Sequence, residues 1–131
     1  MQNPNYAAPP AAGKSSTGLD ANVAGLLAYL FGGLGGLVFF LIEKESRFVR
    51  FHAMQSILLN VGVVVVVITM MIVNVAVAFI SGALATLVGL IWTLVMLGAL
   101  GLAILCMIKA FQGQEFRIPV IGDMAANIVN K

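Results

Sequence analysis

The residues best suited to chemistry in a membrane setting lie on one stretch, His52-Ala53-Met54-Gln55-Ser56, with Asn60 and Asn74 further along the same apolar run. At about 100° per residue, and taking His52 as 0°, Gln55, Ser56, Asn60 and Asn74 fall near roughly 300°, 40°, 80° and 40°, so all five share an arc of about 140° on one helix. Hydrogen-bonding groups in lipid are costly unless paired, so this polar face is expected to point at other helices. It then either knits a bundle together or lines a polar path. His52 is the only histidine and has no Cys, Asp or Glu at ligand spacing within its helix, so no metal and no cofactor is expected. Convergent titratable groups of the kind a nucleophilic or proton-transfer site requires are missing from the apolar runs, and no enzymatic activity is expected.

The elements that must hold this face follow from composition. Of 131 residues 61% are hydrophobic and 9% charged, whereas a soluble domain is nearer half apolar and a quarter charged. A chain of this size cannot cover its core from Val23 to Ile108 with polar surface, so lipid must cover it. A formal charge of +2 without a basic stripe argues against nucleic acid as a partner. The single cysteine, Cys106, excludes an intramolecular disulfide and reads as a packing residue.

Hydropathy and charge divide the chain into a polar tail, residues 1–20, expected to be disordered, and a three-helix membrane domain, residues 21–131. The expected fold class is therefore an all-α integral membrane protein with spans at about 22–42, 52–80 and 84–108 and a C-terminal interfacial segment at 109–131. Asp20 is placed to cap the first span. The turn between the second and third is expected at Ser81-Gly82, where helix propensity falls. Valine-rich Val63 to Val67 would suit a strand, but an isolated segment in lipid must satisfy its own backbone, and helix wins.

Lys44, Arg47 and Arg50 between the first two spans, with Lys109, Arg117 and Lys131 after the third, outnumber Lys14 on the other side. With three crossings this places the N-terminus outside and the C-terminus in the cytoplasm. Arg47 and Arg50, one turn apart, are candidates for anionic lipid headgroups. Glu43 with Arg47, and Lys44 with Glu45, are expected as exposed ion pairs. Gly25, Gly32 and Gly36 fall on one strip of the first helix, and Ala85 and Gly89 begin another on the third; small residues allow close backbone contact, within the bundle or between copies, while the unusually glycine-dense Gly32-Gly33-Leu34-Gly35-Gly36 offers the alternative of a hinge or a broken helix lining a cavity.

Two segments resemble a known family: Glu43-Lys44-Glu45-Ser46-Arg47-Phe48-Val49-Arg50-Phe51-His52-Ala53-Met54-Gln55-Ser56, and Lys109-Ala110-Phe111-Gln112-Gly113 continuing to Ile118-Pro119-Val120-Ile121-Gly122-Asp123-Met124-Ala125. They are similar to small bacterial and archaeal membrane proteins grouped with the Tic-twenty-like superfamily of chloroplast inner-envelope import components. The resemblance implies a bacterial inner membrane and carries over no established activity from the prokaryotic members; the plastid relatives, which have four spans, are linked to protein translocation. The function expected is that of a scaffold or assembly subunit, contacting the bilayer and either a second copy or another membrane protein. The alternative is a transport or translocation component with a polar path along the second span.

Overall fold

The computed structural model describes residues 13–130. Five helices follow in order: α1 (Ala21–Leu30), α2 (Gly32–Ile42), α3 (Arg47–Ala78), α4 (Gly82–Phe111) and α5 (Ile121–Val129). Two of them are long, 32 residues for α3 and 30 for α4, or about 48 and 45 Å. Ser46 opens α3 by accepting from the Val49 amide, and Ser81 opens α4 by accepting from the Leu84 amide. Each serine thereby satisfies one of the amide groups that a helix start leaves unpaired. The turn at Ser81-Gly82 is as expected, and the valine run lies wholly within α3.

The first apolar run departs from expectation. It is not one helix over 22–42 but two short arms that fold back on each other. Phe31 ends α1, and Gly32 takes a left-handed φ of 66° that only glycine adopts without strain. In a straight helix Leu27 and Gly35 would stand about 12 Å apart. Here a Cβ on Gly35 would lie 2.9 Å from the Leu27 carbonyl oxygen. Both feet of this hairpin meet, because Glu43 at the end of α2 accepts hydrogen bonds from Ser15 and Ser16, which precede α1. Residues 13–20 are accordingly ordered and lie beside the 43–46 turn, not on the opposite face as a single crossing would require. The remainder of the expected tail, residues 1–12, and Lys131 lie outside the described residues.

The glycine-dense sequence explains the reversal. Each arm has 10 or 11 residues, about 15 Å, half of a hydrocarbon core. The tip sits against Asn60 of α3: a Cβ on Gly32 or Gly33 would come within 3.4 and 3.0 Å of the Asn60 side chain. Side chains at these positions would hold the tip away from α3.

A second re-entry follows α4. Residues 114–118, which are neither helix nor strand, run back along α3; the chain then turns at Val120 and returns as α5, whose Ala125 and Ala126 pack on Phe51. Pro119 accepts from the Ile121 amide at 2.8 Å across Val120, at φ 69° and ψ −57°. This is a γ-turn of the rarer, strained kind for a β-branched residue. Asp123 makes no cap bond; it lies in the first turn of α5 and pairs with Arg117 at 3.4 Å. The carboxylate of Asp20 likewise makes no cap bond and pairs with Lys14 at 2.7 Å.

Three small clusters form the core: Ala21, Ala24, Ala28, Phe39, Phe48, Val49 and Ala53; Tyr29, Leu59, Cys106, Ala110 and Ile118; and Phe51 with the two alanines of α5. All lie in one half of the molecule. Beyond Val66, α3 and α4 continue as a bare pair with Ile68, Ile72, Phe79 and Leu87 exposed.

Candidate functional site

The polar face of α3 points inward, as expected, and His52, Gln55 and Ser56 are fully buried. Two re-entrant segments converge on it. His52 Nε2 stands 3.1 Å from the Gln114 carbonyl oxygen, which can only accept, so Nε2 carries the proton. The other nitrogen, Nδ1, then accepts from the Tyr29 hydroxyl at 2.8 Å. That hydroxyl in turn accepts from Gln55 Nε2 at 2.7 Å. Gln55 also donates to the Phe116 carbonyl at 2.9 Å and accepts from the Ile118 amide at 2.9 Å. Its side-chain amide thus takes the place of a neighbouring strand for residues 116–118. On the α1 side Ser56 Oγ reaches the Ala28 carbonyl at 2.8 Å and the Gly32 carbonyl at 3.2 Å, supporting the break.

The ring of His52 is enclosed edge-on by Tyr29, Phe48 and Phe51, with centroids 5.5, 4.6 and 5.1 Å away. Asn60 turns back to its own helix, donating to the Ser56 carbonyl at 2.9 Å. Asn74 is separate. Fourteen residues on, about 21 Å along α3, it donates to the Ala85 carbonyl at 3.2 Å with Gly89 beside it. The five residues therefore form two places, one gathering His52, Gln55, Ser56 and Asn60 and one fastening α3 to α4, with no continuous polar lane between them. Among the described residues, no three of His, Cys, Asp and Glu come together as a metal site would require.

The two arginines face inward rather than toward headgroups alone. Arg47 donates to Glu115 at 2.7 Å and to Asn130 at 2.6 Å, clasping both ends of the second re-entry. Arg50 donates to the Phe40 and Glu43 carbonyls at 3.3 and 3.0 Å and stacks on the Phe40 ring. These bonds cap the end of α2, where carbonyls are otherwise unpaired. The glycines are also spent internally: Gly25 faces Phe48, His52 and Ala110, Gly36 faces the Ala53 carbonyl, and Gly32 lies at the tip. Because the helix is broken, they do not form one strip.

Glu43 and Tyr29 are the residues that sequence reasoning did not place here. Glu43, expected in an exposed pair with Arg47, is fully buried. It accepts from the hydroxyls of Ser15 and Ser16 and from the backbone amides of Ser16, Glu45 and Ser46. Burial alone would push its carboxyl up; the hydrogen bonds outweigh that and hold it at about 2, below its ordinary 4.5. The ionised form is thus favoured by folding. Its contribution is fully present above about 4.5 and is lost as pH falls toward about 2. Thermal melts in detergent should therefore be level from neutral pH down to mild acid and then fall, and Glu43→Gln should flatten the acid limb. A wild-type profile with no such fall would contradict this role.

An all-helical chain whose two long helices expose apolar side chains on every side but the seam between them defines an integral membrane protein. More particularly, the chain belongs to the magnetosome magnetite crystal formation protein family, MamF/MmsF, whose model matches residues 16–125. It is 45% identical over 113 residues to a UPF0132 membrane protein of Methanocaldococcus jannaschii, covering 86% of this chain and 92% of that one. A second protein of that name from the same organism is 39% identical over 110 residues, 82% of this chain and 69% of the relative. One from Archaeoglobus fulgidus is 39% identical over 107 residues, 82% and 93% respectively. No solved structure matches the chain.

Proposed function

We propose that the chain is a non-enzymatic scaffold or assembly subunit of a membrane complex, held in the bilayer by two crossings, α3 and α4, and by two re-entrant segments. The observation that carries this reading is the use of the α3 polar face: His52, Gln55 and Ser56 spend their hydrogen bonds on Tyr29, Ala28, Gln114, Phe116 and Ile118. Irregular backbone inside a membrane protein is tolerated only where protein or water satisfies it, and this face supplies that satisfaction. A transport path, the function that the Tic-twenty-like resemblance would favour, needs polar groups left open to a solute. The family's association with magnetite crystal formation suits a protein that organises the membrane around a mineral without itself ligating iron.

Lys14, Lys44, Arg47, Arg50, Lys109 and Arg117 all belong to the end where the helix feet gather, and the far turn sits in the middle of the uncharged run 51–108. By the distribution of basic residues that end faces the cytoplasm. Residues 13–20 and the C-terminal segment then share it. An impermeant thiol reagent is expected to label Thr17→Cys and Lys44→Cys from the same side of a cell membrane, and Phe79→Cys from the other.

Crosslinking in native membranes tests the role itself. A scaffold is expected to be recovered with a membrane-protein partner or a second copy, and the purified protein to pass no ion or solute in liposomes. Flux through liposomes, abolished by replacing Asn60 and Asn74 with leucine while folding is kept, would favour transport instead.

A further inference from the structure

The two halves of the molecule differ in width. From Arg47 to Asn60, about 20 Å along α3, the cross-section contains α1, α2, α3, α4 and the 112–130 re-entry. The tip of α2 reaches Val64 and Val65 and Ile121 reaches Val66, and from Val67 to Phe79, about 18 Å, the cross-section contains only α3 and α4. With helices spaced 8–10 Å apart, the first half occupies roughly twice the area of the second, or somewhat more.

The added elements occupy lipid space and do not hang in water. Leu34, Leu37, Val38 and Leu41 of α2 are exposed around the wide half, as are Met124 and Ile128 of α5. Arg50, stacked on Phe40, and Arg117, over the Phe51 ring, carry their charges at that end as interfacial side chains do. At the far end the apolar surface of α3 and α4 is unbroken through Phe79 and Ile80.

We propose that the protein is a wedge that binds curved lipid surfaces in one sense, with its broad, basic end in the convex leaflet. A body that takes more area in one leaflet than in the other fits best where that leaflet is expanded. The surface involved is the whole apolar flank, and the partner is the bilayer. Nothing in the wide half can narrow without unpairing backbone, because each re-entrant arm is fastened to α3 by His52, Gln55, Ser56 and Arg47. The shape is therefore fixed.

This inference rests on the two-crossing reading, and the same experiment separates the two. Full-length Thr17→Cys and Phe79→Cys variants, whose native Cys106 is buried, are reconstituted by detergent removal with a mixture of phosphatidylcholine and phosphatidylglycerol. The proteoliposomes are separated into small and large populations and labelled with an impermeant maleimide. In small vesicles, whose outer leaflet is the convex one, Thr17→Cys is expected to be severalfold more labelled than Phe79→Cys, with the ratio falling toward one in large vesicles. Opposite sidedness with the same ratio at every vesicle size would overturn the wedge, including the case in which a second copy fills the narrow half. Thr17→Cys and Phe79→Cys accessible from one and the same side of each vesicle would overturn the two-crossing reading itself.

Discussion

Replacing Gln55 by leucine is expected to cost on the order of 4 kcal/mol, the largest effect of any single polar substitution in the molecule. The side chain is the partner of the Phe116 carbonyl and the Ile118 amide, and it also donates to the Tyr29 hydroxyl, which keeps its bond to His52. A buried polar group left unpaired costs about 1–3 kcal/mol, and leucine, while matching the volume, leaves both backbone groups in that state and removes one of the two bonds of the Tyr29 hydroxyl. The loss should be local before it is global. Residues 112–130 are held to α3 chiefly here and through Arg47, so they should become protease-sensitive under conditions where α3 and α4 stay protected. Gln55→Glu separates hydrogen bonding from shape: it keeps the acceptor for Ile118 but loses the donors to Phe116 and Tyr29, and should be damaging too. Limited proteolysis and melts in detergent read both outcomes. Wild-type stability in Gln55→Leu would mean that the second re-entry does not dock as described.

Gly36→Ala is expected to be nearly as severe, about 3 kcal/mol, although it adds one methyl group. A Cβ there would stand 2.6 Å from the Ala53 carbonyl oxygen and 3.0 Å from Ser56 Cβ. The first of these is backbone in the middle of a helix and cannot swing aside, so α2 must move off α3, a larger strain than ordinary overpacking. Gly62 provides the comparison within the same helix pair. No atom lies within 4 Å of a Cβ built on it, so Gly62→Ala should be neutral or stabilising by up to about 1 kcal/mol through helix propensity. Equal effects at the two positions would show that α2 does not lie against α3.

The contrast between these glycines also shows how far the sequence could be read. The long apolar run, its turn at Ser81-Gly82 and the inward polar face of α3 were legible, because hydropathy, turn chemistry and a helical wheel each report on a single element. The fate of residues 22–42 was not. An apolar run of about 21 residues has the length of a crossing and also the length of two half-depth arms, and hydropathy is the same for both. Gly32-Gly33-Leu34-Gly35-Gly36 was visible as unusually glycine-dense, yet density alone does not tell a packing strip from a tip. What decides is Ser15 and Ser16 binding Glu43, a contact across 27 and 28 positions that no local pattern announces. The charge count was misleading for the same reason. Lys14 looked like the lone basic residue of an opposite face only because a single crossing had been assumed, and folding the run back places it with the others. His52 and Gln55 were found by their types, but their partners are mostly main-chain groups of residues 114–118, whose identity carries no signal.

Spin labels on Thr17→Cys and Lys44→Cys in the reconstituted protein measure the central feature, the reversal at Phe31 and Gly32. The Ser16 hydroxyl lies 2.9 Å from the Lys44 amide nitrogen, so the labels are expected within the short range of dipolar spectroscopy, apart only by the reach of their own tethers. A continuous helix over 22–42 would separate the two positions by about 32 Å or more, and a distance distribution centred there would contradict the re-entrant account.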